Sequence, residues 1–125
     1  MKLLIVDDEV DLCSMLEEHF KDHFNGETFT ATTPGEALRL LEELQPEGML
    51  LDLNLRSRLN GFDVLGRAAE ISPGTKVIIV TGSNDFESVA KAMALGAVDY
   101  ITKPYSVDYL EETVDKKIAA YLAYA

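Results

Sequence analysis

Five short runs set the framework of this chain: KLLIVD at 2–7, ETFTAT at 27–32, GMLLDL at 48–53, TKVIIVT at 75–81 and AVDYIT at 97–102, starting 21 to 27 residues apart. That interval holds one strand and one helix each time. The segments between them carry helical periodicity. Leu12, Met15, Leu16, His19 and Phe20 follow an i, i+3, i+4, i+7, i+8 pattern, as do Phe86, Val89, Ala90, Met93 and Ala94, and both sets are expected to face the core. Thr33, Pro34 and Glu36 combine an N-cap, a proline at the first helical position and a capping-box acid; Asn84 and Glu87 repeat the box. Gly96 marks a helix stop, and Ser106 is expected to cap a last helix from about 108 to 122 with Leu110, Val114, Ile118, Tyr121 and Leu122 inward.

Strands alternating with helices, two of the strands aliphatic on both faces, predict an α/β fold: a doubly wound five-stranded parallel sheet of flavodoxin-like order 2-1-3-4-5 with helices on both faces. ETFTAT is polar enough for an edge. At 125 residues, 47% hydrophobic and 26% charged, residues 1–125 suit one domain with its own core. The net charge of −11 argues against direct contact with nucleic acid, whose phosphates recruit Lys and Arg. Cys13 is the only cysteine, so no internal disulfide forms; no apolar run reaches the roughly 20 residues of a membrane span. A cytoplasmic setting is expected, with no membrane contact.

In sheets of this kind ligands sit at the carboxyl ends of the strands. Collected strand by strand, that end offers Asp7 and Asp8, Asp52 and Asn54, Thr81, and Lys103 with Pro104. Three clustered carboxylates raise one another's pKa unless a cation intervenes. Hard oxygen donors suit Mg²⁺, and Asp52, between Leu51 and Leu53, is placed as an oxygen nucleophile toward phosphorus, with Lys103 and the Thr81 hydroxyl neutralising phosphoryl oxygens. Cys13, His19 and His23, on or near the first helix, read as packing or solvent-facing residues. Met93 and its neighbours read as core. Glu42, Glu43, Glu111 and Glu112 read as solvated helix faces.

IVDDE, LLDLN, IIVTG and DYITKPY, in that order and spacing, resemble the receiver domain of two-component response regulators across essentially the whole chain. The resemblance implies that Asp52 accepts a phosphoryl group from a partner histidine kinase or phosphotransfer protein. It implies Mg²⁺ held by Asp7, Asp8, Asp52 and the Asn54 backbone carbonyl, with Thr81 and Lys103 on phosphoryl oxygens. It further implies that Tyr100 is a switch aromatic coupled to Thr81, that Lys103–Pro104 is a cis peptide, and that a downstream effector domain or protein reads the face of helix 4, strand 5 and helix 5. A phosphorylation-dependent dimer stays open. Family members usually carry a proline shortly after the phosphoacceptor; here NLRSRLNGF has Arg56 and is one residue longer before Gly61, which leaves the shape of loop 55–61 and the reach of Arg56 and Arg58 undetermined. Ser83 stands where the family tunes attack by water.

Two other functions compete. A haloacid-dehalogenase-like aspartyl phosphatase also uses a strand-end Asp, Mg²⁺ and Lys, but needs a second acid where Asn54 stands. A flavodoxin-like cofactor binder would want a phosphate-cradling loop after the first strand, where DDEV is its electrostatic opposite.

Overall fold

Strands that are apolar on both faces hold together only if both faces are covered, and the computed structural model of the chain builds that arrangement. It describes residues 1–82 and 86–122. Strands β1 (Lys2–Val6), β2 (Glu27–Ala31), β3 (Gly48–Asp52), β4 (Lys76–Thr81) and β5 (Asp99–Thr102) form one parallel sheet in the order β2-β1-β3-β4-β5. Polar β2 lies at an edge, as its composition implies. Between the strands run α1 (Val10–His23), α2 (Pro34–Leu44), α3 (Gly61–Ile71) and α4 (Phe86–Ala94). After β5 the chain forms α5 (Val107–Tyr109), a π-helical turn (Leu110–Val114) and α6 (Asp115–Leu122). No helix of the described residues is long and apolar enough to cross a membrane.

Strand side chains alternate between two cores. Leu4, Val6, Met49, Leu51, Val77 and Ile79 pack with Ala37 and Leu41 of α2, Val64, Leu65 and Ala68 of α3, and Ala92 of α4. Leu3, Ile5, Leu50, Ile78, Val80 and Ile101 pack with Cys13, Leu16 and Phe20 of α1 and with Leu110, Val114, Ile118 and Leu122. Each fully buried aliphatic side chain contributes roughly 1.5–3 kcal/mol. Cys13 belongs to this second core, where burial above all pushes its thiol up to about 11.

Helix ends follow local chemistry. The Thr33 hydroxyl accepts from the Glu36 N–H at 3.2 Å, while the Glu36 carboxylate takes the N–H of Thr32. Ser106 caps the Tyr109 N–H, and Gly96 (φ +111°) closes the turn after α4. The Asn84–Glu87 box and Ser83 fall outside the described residues.

Two expectations about faces need correction, and a third, for Tyr121, holds in part. Met15 is exposed, because the stripe of α1 that meets the sheet is Cys13, Leu16 and Phe20. On α4, Phe86, Ala90, Met93 and Ala94 face outward, Phe86 being 74% and Met93 41% exposed, and Ala92 with partly buried Val89 makes the contact. That helix carries an apolar stripe that it does not bury. Tyr121 is only half-buried, its hydroxyl donating to the Val98 carbonyl and the Asp99 carboxylate.

Candidate functional site

Register brings the strand-end residues together. Val6 pairs with Leu51, Asp52 with Val80, and Thr81 with Thr102, so Asp7, Asp52, Thr81 and Lys103 emerge at one rim of the sheet. Backbone bonds hold them there: Asp7 N–H to the Ala31 carbonyl, Leu53 N–H to Val80, and Lys103 N–H to Thr81. The Lys103–Pro104 peptide is cis. Asp7, Asp52 and Thr81 are buried among apolar residues, and Asp8 is half-buried.

Lys103 is the hub. Its Nζ lies 2.8 Å from Asp7 Oδ2, 3.0 Å from Asp52 Oδ2 and 2.9 Å from Glu9 Oε2. Burial works against the ammonium, but hydrogen bonds to those three carboxylates outweigh it and push its pKa up. The free oxygens of the acids have backbone donors: Asp7 Oδ1 accepts from the Glu9 N–H, and Asp52 Oδ1 from the Asn54 N–H, each at 2.9 Å. Asp7 nonetheless has its pKa raised, chiefly by burial, with Lys103 opposing and Asp52 adding repulsion. Glu9, at the surface, is lowered by its hydrogen bond to Lys103.

Donor atoms of Asp7, Asp8 and Asp52 lie within 4.8 Å of one another. Asp8 and Asp52, with Glu9, Asn54, Arg56, Gly82 and Lys103, line an open pocket of about 190 Å³. Three oxygen donors around one point, open to water on one side, fit a hard divalent cation such as Mg²⁺. Thr81 and Asn54 line an adjoining recess with Asp52, Gly82 and Ser88.

Loop 55–61 takes its shape from two anchors. Leu55, next to the Arg56 that stands in place of the family's proline, is buried in the core, and the Gly61 N–H returns to the Leu53 carbonyl. Gly61 lies so close to β3 that a Cβ there would stand 2.4 Å from Leu53 Cα and 2.6 Å from the Asp52 carbonyl oxygen, so only glycine fits. Asn60 and Asp63 then form a capping box at the start of α3. Arg56 leans over the rim, its N–H 3.4 Å and its Nε 3.9 Å from Asp8 Oδ2.

Tyr100 does not enter the rim. It lies 38% exposed on β5, with Lys117 Nζ 5.0 Å from its ring centroid. Sequence reasoning missed two neighbours. Glu9 shares Lys103, a role its place in the DDE triplet could have suggested. The Tyr105 hydroxyl is buried beside Lys103 and Asp7 without a hydrogen-bond partner among the described residues, and burial pushes its pKa up.

Comparison with known proteins points one way. A family model described as "response regulator receiver domain" matches residues 3–115. The chemotaxis protein CheY of Listeria monocytogenes is 29% identical over 116 residues, covering 93% of this chain and 97% of that protein. An NtrX-like protein of Rickettsia felis is 33% identical over 112 residues, 88% of this chain, and the chain spans only 23% of its length. A response regulator receiver domain protein from Clostridium thermocellum superposes with a TM-score of 0.86 at 27% identity, covering 98% of this chain and 94% of that one. None of these matches supports the haloacid-dehalogenase-like alternative.

Proposed function

The chain belongs to the response regulator receiver domain family, and we propose that it works as a phosphoacceptor whose acidic rim takes a phosphoryl group onto Asp52. The observation that carries this reading is the position of Lys103 Nζ, between Asp7 and Asp52 at the mouth of a pocket that Asp8 also lines. Asp7, Asp8, Asp52 and the Asn54 carbonyl are the residues suited to hold Mg²⁺, which supplies charge neutralisation for the entering phosphoryl oxygens.

Asp52 provides the nucleophilic oxygen. The N–P bond of a phosphohistidine on a partner kinase or phosphotransfer protein breaks as the O–P bond forms, and the departing imidazole takes up a proton. Lys103, already bound to Asp52, transfers one of its hydrogen bonds to a phosphoryl oxygen. Thr81 donates its hydroxyl to another. Hydrolysis returns Asp52 to its carboxylate, so the chain assists its own phosphorylation and dephosphorylation rather than turning over a separate substrate.

The output is a shift between two surface states. Tyr100 on β5, Phe86 and Met93 on α4, Leu95 just after it and Val107 on α5 all expose apolar side chains, so these elements offer accessible apolar surface. Withdrawal of Thr81 toward the phosphoryl group makes room for Tyr100 to turn inward and changes that surface. A downstream effector domain or protein reads it. Residues 1–125 act as one receiver domain, in the cytoplasm, with no nucleic-acid contact of its own given a net charge of −11.

Incubation with a small-molecule phosphodonor and Mg²⁺, followed by intact-mass measurement, tests the reading. One added phosphoryl group is expected, lost in Asp52→Asn and on chelation of the metal. Phosphorylation that persists in Asp52→Asn would overturn it.

A further inference from the structure

Side chains from β5 itself and from the helical segment after it close the outer edge of β5. This strand ends the sheet, so its backbone polar groups that point away from β4 need other partners. The Tyr100 N–H donates to Asp99 Oδ1 at 2.7 Å, and the Tyr100 carbonyl accepts from Lys117 Nζ at 2.6 Å. Thr102, the register partner of Thr81, donates its N–H to the Tyr109 hydroxyl at 2.9 Å. Lys117 Nζ also donates to Asp99 Oδ1 at 3.1 Å, and Asp99 Oδ2 accepts from the Tyr121 hydroxyl at 3.2 Å.

Lys117 does more than an edge cap requires. Capping needs one bond to the Tyr100 carbonyl, and the ammonium supplies it. The same Nζ lies 5.0 Å from the centre of the Tyr100 ring, inside the roughly 6 Å reach of a cation–π contact. Its position is fixed, because the Tyr100 carbonyl and the Asp99 carboxylate grip it together, and its side chain is only 27% exposed. Both of those bonds go to groups that stay in place when the Tyr100 side chain rotates. A ring that turns inward toward Thr81 therefore leaves the ammonium behind, whereas the outward ring, 38% exposed, keeps the contact.

We infer, resting on the reading of Tyr100 as the switch aromatic, that Lys117 is a positioning residue for it: the ammonium holds the ring outward and so sets how much of the unphosphorylated protein occupies the inward state. An exposed cation–π contact shifts a two-state balance by about two- to fivefold. Loss of the charge raises the inward share of the unphosphorylated protein by that factor, and a phosphoryl group on Asp52 then has less of the switch left to complete. The hold acts on the ring and does not use the Tyr100 hydroxyl. Lys117 lies 17 residues beyond Tyr100, so the periodicity of either element alone says nothing of their pairing.

The test is NMR of the full chain labelled with ring-¹³C tyrosine, without phosphodonor, in wild type, Lys117→Gln, Lys117→Met and Lys117→Arg. The Tyr100 signal is identified by its loss in Tyr100→Phe, and its broadening by a soluble, neutral gadolinium chelate reports how exposed the ring is. Lys117→Gln and Lys117→Met should reduce the broadening, and Lys117→Arg, which keeps a cation, should retain it. Titration with beryllofluoride and Mg²⁺, a phosphoryl mimic, gives a second readout. The Gln and Met variants should bind the mimic about two- to fivefold more tightly, a gain that loosening of the edge would not produce. Unchanged Tyr100 exposure in both uncharged variants, equal effects of Lys117→Arg and Lys117→Gln, or weaker binding of the mimic would each overturn the inference. A wild-type Tyr100 signal that ignores beryllofluoride would overturn the switch reading instead, while the exposure measured without it still decides whether Lys117 holds the ring.

Discussion

Asp7 carries most of the electrostatic tension in the rim. It is 2% exposed, and burial holds its pKa above the ordinary aspartate value although Lys103 sits 2.8 Å away. A carboxyl whose folded pKa exceeds its unfolded one binds its proton more tightly when folded. Its charge therefore destabilises the fold at neutral pH, and the penalty is relieved as pH falls through the folded pKa toward the unfolded value. Asp7→Asn should accordingly raise the metal-free melting temperature at pH 7 by a few degrees. The gain should shrink as the pH approaches 4. Thermal melts of both proteins from pH 7 to 4 measure this, and a gain that grows on acidification would contradict it. Asp52 was legible because an acid between leucines in a buried strand is costly without a partner, whereas Asp7, Asp8 and Lys103 stood out only as members of the ordered set of strand ends. Glu9 was less so, since an exposed acid after two others carries no mark of which cation it meets.

At the scale of elements, strands could be read more surely than helix faces. All five runs became strands, and in β1, β3 and β4 aliphatic residues on both faces leave little alternative. On α4 the periodicity was present but aimed outward. A pattern reports that a stripe is apolar, not what covers it. The π-helical turn at Leu110–Val114 was likewise hidden, since the inward residues Leu110, Val114, Ile118 and Leu122 keep a spacing that a regular helix also satisfies. Gly61 shows the reverse case, a residue whose necessity appears only in three dimensions. Gly61→Ala places a Cβ against the backbone of Leu53 and Asp52, neither of which can yield without moving β3. A loss of about 1–3 kcal/mol is expected in urea unfolding. Phosphorylation should slow as well, because the displaced carbonyl belongs to Asp52. Unchanged stability would mean that loop 55–61 can relax away from the strand.

For the whole molecule, the sheet order follows from the regular alternation of elements, and it alone makes residues separated by dozens of positions converge. Three carboxylates of the rim face a single ammonium, on a chain already at −11. That imbalance is the reason to expect a divalent ion, and an ion that binds only the folded chain stabilises it by mass action. The most direct test is the melting temperature of the unphosphorylated protein as Mg²⁺ is titrated in, compared with Asp7→Asn. The wild-type protein should melt progressively higher with added Mg²⁺, and Asp7→Asn should start higher and respond much less. Melting curves of both proteins that coincide and ignore Mg²⁺ would contradict the view that the acids at this rim are crowded and poised for a cation.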